Sequence, residues 1–462
     1  MSKVDILVEV KKVQESAFAF HATAVESESE SQQQAEALVK DLSGYGLDVL
    51  ADMPPVPMFS EKTVHDQEGF AAFSSVEENP DVSSETFVIA AQIDSSKLAD
   101  LEAEKDITVW PNSKLELYPP MDDGVTAESA FSHPFDLARS GGGLDCRPFK
   151  PAVTIDVIRD LLGVEAIWRD GFRGQNIVVG IIDEGVNGQV YPVVGGFSKP
   201  NAPLPGSADI TSHGSMCAAD ILVAAPATKI YDYPFLGIPN SGGALGMFQA
   251  VLNQRRIDGT PHLTSNSYGF VGRPPKEIFP NHEVWNINHP VHRKVLEVIA
   301  SGVPTFFAAG NCGAECPSAN CQSSGIGPGI SIHASNSLKE VITVAAVNSR
   351  HERIGYSSQG PGGFEDKKPD IAAYSHFFGN FGPGRPAGGT KFDSGTSAAT
   401  PVAAGVGALL MSAFPGLKVE DLRRALVARA TDIGKPGWDS NTGYGIINAA
   451  TAYAFLKHFL RY

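Results

Sequence analysis

The segment Asn176-Ile-Val-Val-Gly-Ile-Ile182 is an almost unbroken apolar run, preceded by Gly171 and Gly174 and followed by Asp183. A run with no polar alternation leaves no face for water. It reads as a parallel strand covered on both sides, the mark of an α/β sheet with helices above and below. Thr305-Phe-Phe-Ala-Ala-Gly310 reads as a second buried strand closing on a glycine turn. In open parallel sheets, catalytic and binding groups gather at the carboxyl ends of strands, which singles out Asp183. By itself an Asp there is also an ordinary turn or cap residue.

Two further segments supply complementary chemistry. His213 follows Thr211-Ser212 and opens Gly-Ser-Met-Cys-Ala-Ala-Asp-Ile-Leu, a helix-like stretch whose small residues permit close packing on a sheet. The chain has 12 His, and the flanking sequence distinguishes this one. Ser397 lies between Gly395-Thr396 and Ala398-Ala-Thr-Pro401, with a long apolar helical stretch behind it. A serine at such a turn has its Oγ near unsatisfied helical N–H groups and the positive end of the helix dipole. Pro401 is expected in the first turn, where its missing N–H costs nothing.

Together these residues suit nucleophilic peptide hydrolysis. Ser397 would attack a carbonyl, His213 would take its proton, and Asp183 would orient the imidazolium. Asn311, after Ala308, Ala309 and Gly310, and the backbone N–H of Ser397 would hold the oxyanion. The chain order Asp…His…Ser separates this arrangement from triad folds with other orders.

The segments resemble those of the subtilisin-like serine proteases (subtilases), over most of Ile155 to about Leu456. The resemblance also covers Thr264-Ser-Asn-Ser-Tyr-Gly269, Glu340-Val-Ile-Thr-Val-Ala-Ala-Val347, Tyr356-Ser-Ser-Gln-Gly-Pro361, Lys368-Pro-Asp-Ile371 and Gly443-Tyr-Gly-Ile-Ile-Asn448. It implies a parallel seven-stranded α/β sheet with helices on both faces. It also implies substrate binding by Ser267, Tyr268, Gly269, Ala308, Ala309 and Gly310, with the peptide added as a β-strand. The chain departs from the family pattern in three places. Met216 stands where a second His is usual, Phe270 where a second Gly is usual, and Ala372-Ala-Tyr where Ala-Pro-Gly is usual. The Phe270 ring is expected to narrow the pocket for the residue before the scissile bond. Many subtilases bind calcium, but no Asp-rich loop here reads as a site, and no cofactor is expected to be required.

With 462 residues, two or three domains are expected. A net charge of −16 and a pI near 5.2 argue against nucleic acid or an anionic membrane as partner. No 18-residue apolar run suggests a transmembrane helix. The start, Met1-Ser-Lys-Val-Asp-Ile-Leu-Val-Glu-Val-Lys, alternates as a strand and lacks the pattern of a signal peptide. The location is therefore open: cytoplasmic, or exported without a recognisable signal.

Residues 1–120 read as a separate unit. Strands are expected at Val4 to Val10, Thr86 to Asp94 and Ile107 to Tyr118, helices at Ser31 to Gly46 and Ser95 to Lys105, and a Pro-interrupted extended segment at Leu47 to Phe59. The order βαββαβ is ferredoxin-like α+β. Subtilase propeptides resemble this arrangement, which implies an intramolecular chaperone whose last strand inhibits the cleft. An independent regulatory domain has the same outline. Residues 121–152 read as an exposed linker holding a processing site, and residues 153–462 as the catalytic domain. Cys312, Cys316 and Cys321 could form a disulfide, remain thiols or ligate a metal; the loop disulfide suits an oxidising compartment. Cys217 reads as a small buried residue, and Cys146 lies in the linker.

Taken together the sequence reads as a serine endopeptidase made as a zymogen, acting on proteins or peptides. A peptide ligase or macrocyclase on the same fold would use the same residues. A non-catalytic binding module would not need them.

Overall fold

The computed structural model describes residues 3–11, 42, 44–50, 53–58, 86–118, 145–146, 153–199, 202–235, 239–379 and 392–460. Its central sheet has seven parallel strands: β7 (Val178–Asp183), β8 (Val193–Gly196), β9 (Lys229–Pro234), β10 (Leu263–Asn266), β12 (Thr305–Ala308), β13 (Ile342–Val347) and β14 (Ile371–Tyr374). Their spatial order is β14-β13-β12-β10-β7-β9-β8. The apolar run expected as a buried strand is β7, and Asp183 is its last residue.

Two helices cross the sheet and set the site. α4 (His213–Ala224) starts at His213 and α7 (Thr396–Ala413) starts one residue before Ser397. They pack backbone to backbone. A Cβ placed on Gly405 of α7 would stand 2.3 Å from the carbonyl oxygen of Ile221 in α4. One placed on Gly214 would stand 2.4 Å from the oxygen of Gly185. The small residues of both helices thus bring His213 and Ser397 over the same strand ends. α7 is long and apolar enough to cross a membrane, contrary to the expectation that no such run exists. It is 94% buried inside the body, as the central helix of the core.

The N-terminal unit has its own sheet: β1 (Lys3–Lys11), β2 (Asp48–Val49), β3 (Val56–Met58), β4 (Thr86–Asp94) and β5 (Ile107–Pro111). β1 lies between β4 and β5, antiparallel to both, and β2 and β3 pair with β4. The expected second helix is a 3-10 turn, Ser95–Lys97, followed by α1 (Leu98–Glu102). The expected helix Ser31 to Gly46 lies almost wholly outside the described residues. One face of the sheet packs Ile6, Val8, Phe87, Ile89 and Leu101 together. The other packs Leu7, Met53, Val56, Met58, Val88 and Trp110 against Leu245. Leu245 belongs to α5 (Ser241–Asp258) of the larger body, so the unit is docked through an apolar face.

Polar contacts flank this face. Glu9 accepts from Trp110 Nε1 at 2.9 Å and from Arg293 at 2.6 Å, and Arg293 lies on α6 (Pro290–Ala300). Glu283, fully buried, accepts from the backbone N and Oγ of Ser113 at 3.1 and 2.8 Å.

The strand expected from Ile107 to Tyr118 is two strands. Asn112 breaks it: its Oδ1 accepts from Gly242 N at 2.8 Å, which turns the chain off its own sheet. β6 (Glu116–Leu117) then pairs with β11 (Tyr268–Gly269) of the larger body. The expected linker is also partly fixed. Asp145 and Cys146 are held on the larger body, and Cys146 is bonded to Cys316. The stretch 119–144 lies outside the described residues.

Candidate active site

Asp183, His213 and Ser397 converge at the carboxyl end of the central strands. Asp183 Oδ1 lies 2.7 Å from His213 Nδ1, and both side chains are buried. Glu184 Oε2 accepts the backbone N–H of His213 at 2.9 Å and fixes the start of α4. Ser212 caps that helix and donates from its Oγ to Gly185 O at 2.7 Å, tying the helix to the turn after β7. Burial opposes charge on His213, but Asp183, the carbonyl of Tyr118 and Glu184 outweigh it and raise its pKa above the ordinary 6.5.

Ser397 is fully buried. Gly395, with φ of 81°, makes the turn into α7, a conformation that a side chain would strain. Asn311 Oδ1 accepts from the backbone N and from the Oγ1 of Thr396, each at 2.9 Å. The amide is thereby oriented with Nδ2 beside Gly395. The sequence gives Thr396 no role beyond flanking Ser397; its bonds to Asn311 come from the fold.

Pro401 differs from expectation. α7 begins at Thr396, so Pro401 falls in its second turn, where its nitrogen would face the carbonyl of Ser397 four residues back. That carbonyl is satisfied otherwise: Ser267 Oγ donates to it at 3.3 Å and Cys217 Sγ at 3.6 Å. The proline thus frees the serine's carbonyl for contacts across the cleft.

Among the described residues, one group of His, Cys and acidic side chains is close enough to hold a metal ion: Asp183, His213 and Cys217. Its acid and imidazole are already bonded to each other. Burial first, and then Asp183 and Asp220, push the Cys217 thiol well up, so it stays neutral. A neutral thiol is a poor metal ligand and a poor nucleophile.

The end of the N-terminal unit fills the cleft. Tyr118 N donates to Ser267 O at 3.1 Å, and Leu115 N donates to Pro239 O at 2.8 Å. The Tyr118 ring lies in a slot with Val271, Ala308 and Cys312. Its hydroxyl would be 2.1 Å from a Cβ on Gly269 and 3.3 Å from one on Gly310. Asn336 closes the slot, with its Nδ2 donating to Tyr268 O at 2.8 Å and Ala308 O at 2.9 Å. Of the residues expected to bind substrate, Ser267, Tyr268, Gly269, Ala308 and Gly310 all meet this strand or its slot. Ala309 is buried and spends its N–H on Val344 O. Phe270 does not narrow the Tyr118 slot. It lines a separate pocket with Leu115, Phe248 and Tyr268.

Cys312, next to Asn311, is bonded to Cys321, and Cys316 to Cys146. The loop disulfide agrees with one expected alternative. The partner of Cys316 was not foreseen.

A model of the subtilase family matches residues 174–445, more than half of the chain. Subtilisin DY of Bacillus licheniformis is 28% identical over 307 residues, which cover 63% of this chain and 96% of that protein. Fervidolysin of Fervidobacterium pennivorans is 24% identical over 333 residues, covering 64% of this chain but 44% of that protein. The crystal structure of fervidolysin, described as a keratinolytic enzyme related to subtilisin, has a TM-score of 0.57 at 20% identity, over 98% of this chain and 61% of that one. The fold and these relationships define a subtilisin-like serine endopeptidase. The chain belongs to the subtilase family.

Proposed function

We propose that this endopeptidase works through Ser397 as nucleophile, His213 as general base and acid, and Asp183 as the group that orients the imidazole. Asn311 Nδ2 and the backbone N–H of Ser397 hold the oxyanion. Ser267, Tyr268 and Gly269 receive the substrate strand, with Ala308 and Gly310 forming the opposite wall and Ala309, bonded into the sheet, backing it. The observation that carries this reading is the pair of contacts at one carbonyl. Ser397 Oγ and His213 Nε2 both bond Tyr118 O, at 2.5 and 2.8 Å, while His213 Nδ1 bonds Asp183. A peptide carbonyl held in that place lies beside both the proposed nucleophile and the proposed base.

On this reading residues 1–120 are a chaperone and inhibitor, residues 121–152 hold the processing site, and residues 153–462 are catalytic. The apolar docking face and the strand pairing at Tyr268–Gly269 support it. No cofactor takes part in these steps. One relative is named a calcium-dependent protease, and no calcium site is assigned here. Intact-mass measurement and fluorophosphonate labelling of the wild type and Ser397→Ala test the reading. A wild type that neither labels nor cleaves peptide overturns it.

A further inference from the structure

Behind the nucleophile turn lies a second chain of buried polar groups, which the proposed mechanism does not use. Gly395 enters the turn with φ of 81° and ψ of 171°, a conformation open to glycine and little else. A glycine holds no shape of its own, so its backbone groups must be fixed from outside. Tyr356 Oη accepts the Gly395 N–H at 2.8 Å, and Ser375 Oγ donates to Gly395 O at 3.0 Å. Thr396, the next residue, is held from the other side by Asn311. The place of Ser397 is thus set from two sides, and one of them depends on a single phenol.

That phenol is aimed in its turn. Tyr356 is fully buried, and burial pushes its pKa up against the smaller pull of Ser375 and Gly395, so it stays a neutral hydroxyl with one proton to give. Ser375 already gives its own proton to Gly395 O. His376 Nε2 lies 2.9 Å from the Tyr356 oxygen and can take the proton when Nδ1 carries the hydrogen of the ring. Nδ1 faces Asp145 Oδ2 at 3.4 Å, which favours that tautomer.

Both partners are fixed. His376 has φ of 64°, an uncommon backbone for a residue with a side chain, and its N–H donates to Asp393 O at 3.0 Å, two residues before Gly395. Asp145 O accepts from Gly355 N at 2.6 Å, beside Tyr356, and Asp145 Oδ2 accepts from Asn348 Nδ2 at 3.1 Å. The Cys146–Cys316 bond keeps Asp145 there. A phenylalanine at 356 would fill the same volume; the hydroxyl is what Gly395 uses.

Resting on Ser397 as the nucleophile, we propose that Tyr356 is a positioning residue for the nucleophile turn, its hydroxyl aimed at Gly395 by His376 and Asp145. Oγ of Ser397 and its oxyanion N–H both follow from where Gly395 sits.

The test expresses the full chain as wild type, Tyr356→Phe, His376→Asn, His376→Gln and Ser397→Ala. Each product is assayed for kcat and KM on one peptide, for its rate of fluorophosphonate labelling, and for melting temperature. Tyr356→Phe lowers kcat and the labelling rate together by roughly 10- to 10²-fold, with KM little changed, as a small misplacement of a reacting group does. His376→Asn suits the backbone but is too short to reach the hydroxyl, and it loses a similar factor. His376→Gln, whose side-chain oxygen can take the hydroxyl's proton, recovers most of it. Tyr356→Phe with kcat and labelling rate at the wild-type level overturns the proposal, and so does a lower melting temperature with both rates unchanged. If Tyr356→Phe does not fold, the His376 pair decides: His376→Asn as active as His376→Gln overturns it. Ser397→Ala that cleaves and labels like the wild type removes the nucleophile reading instead, and this proposal with it.

Discussion

Asn311 and Thr396 are locked together across the cleft: one carboxamide oxygen accepts both the N–H and the hydroxyl of the threonine, each at 2.9 Å. The amide cannot flip without losing both bonds, so its Nδ2 is held toward the nucleophile turn. The proposed oxyanion donor is therefore set before substrate arrives, which is what makes such a donor effective.

Asn311→Ala should lower kcat by roughly 10²–10³ with KM little changed, the magnitude known for a subtilisin oxyanion-hole asparagine. Steady-state kinetics of the processed enzyme measures this. A change confined to KM would place Asn311 in binding instead.

Ser397→Ala should remove peptidase activity by roughly 10⁶-fold, the value for the subtilisin nucleophile. It should also abolish fluorophosphonate labelling without lowering the melting temperature. Residual activity close to wild type would exclude Ser397.

Gly269→Ala places a methyl where the Tyr118 hydroxyl lies, 2.1 Å away, with Asn336 Oδ1 2.9 Å away on the other side. The ring loses its slot. The uncut chain should then gain activity, and substrates with Tyr before the scissile bond should suffer more than those with Ala. Relative rates on the two peptides decide the matter, and an unchanged ratio counts against the slot.

The acid limb of the pH profile should have its midpoint above 6.5. His213 acts only when neutral. With Tyr118 seated, burial opposes its charge, yet Asp183, the Tyr118 carbonyl and Glu184 raise its pKa overall; when Tyr118 leaves, Asp183 and Glu184 remain and the opposing burial falls. A raised pKa keeps the imidazole protonated to higher pH, so activity is lost sooner as pH falls. Rates across pH 5 to 9 at saturating and limiting substrate test the sign, since a midpoint below 6.5 reverses it.

Much of this site was legible because its information is local. Asp183 closes an apolar run, His213 opens a small-residue helix, and Ser397 sits in a Gly-Thr-Ser turn. Each motif carries its own backbone geometry. What was not legible depends on distant partners. The break at Asn112 is decided by Gly242, 130 residues away. Cys146 finds Cys316 through the fold, and spacing alone does not specify disulfide connectivity. Pro401 was misplaced by one turn because the helix start at Thr396 is set by Asn311, which a local reading does not see.

Cys312→Ser with Cys321→Ser, which leaves Cys146–Cys316 intact, should cost about 2–3 kcal/mol from the short closed loop. It should also lower kcat, because Cys312 follows Asn311 directly. Paired measurements of melting temperature and kcat check this. If a chelator unfolded the oxidised protein instead, the cysteines would be metal ligands.

The Cys146–Cys316 bond turns that stretch into one covalent ring holding Asp183, His213 and Asn311, while Ser397 stays outside it. An enzyme that attacks peptide bonds is surrounded by copies of itself. Leu204, 74% exposed, marks a loop inside the ring that a neighbouring copy could nick. One nick there opens the ring into a longer chain and releases nothing. Three of the four groups proposed to do the chemistry are thus carried on a segment that a first cut there would leave joined.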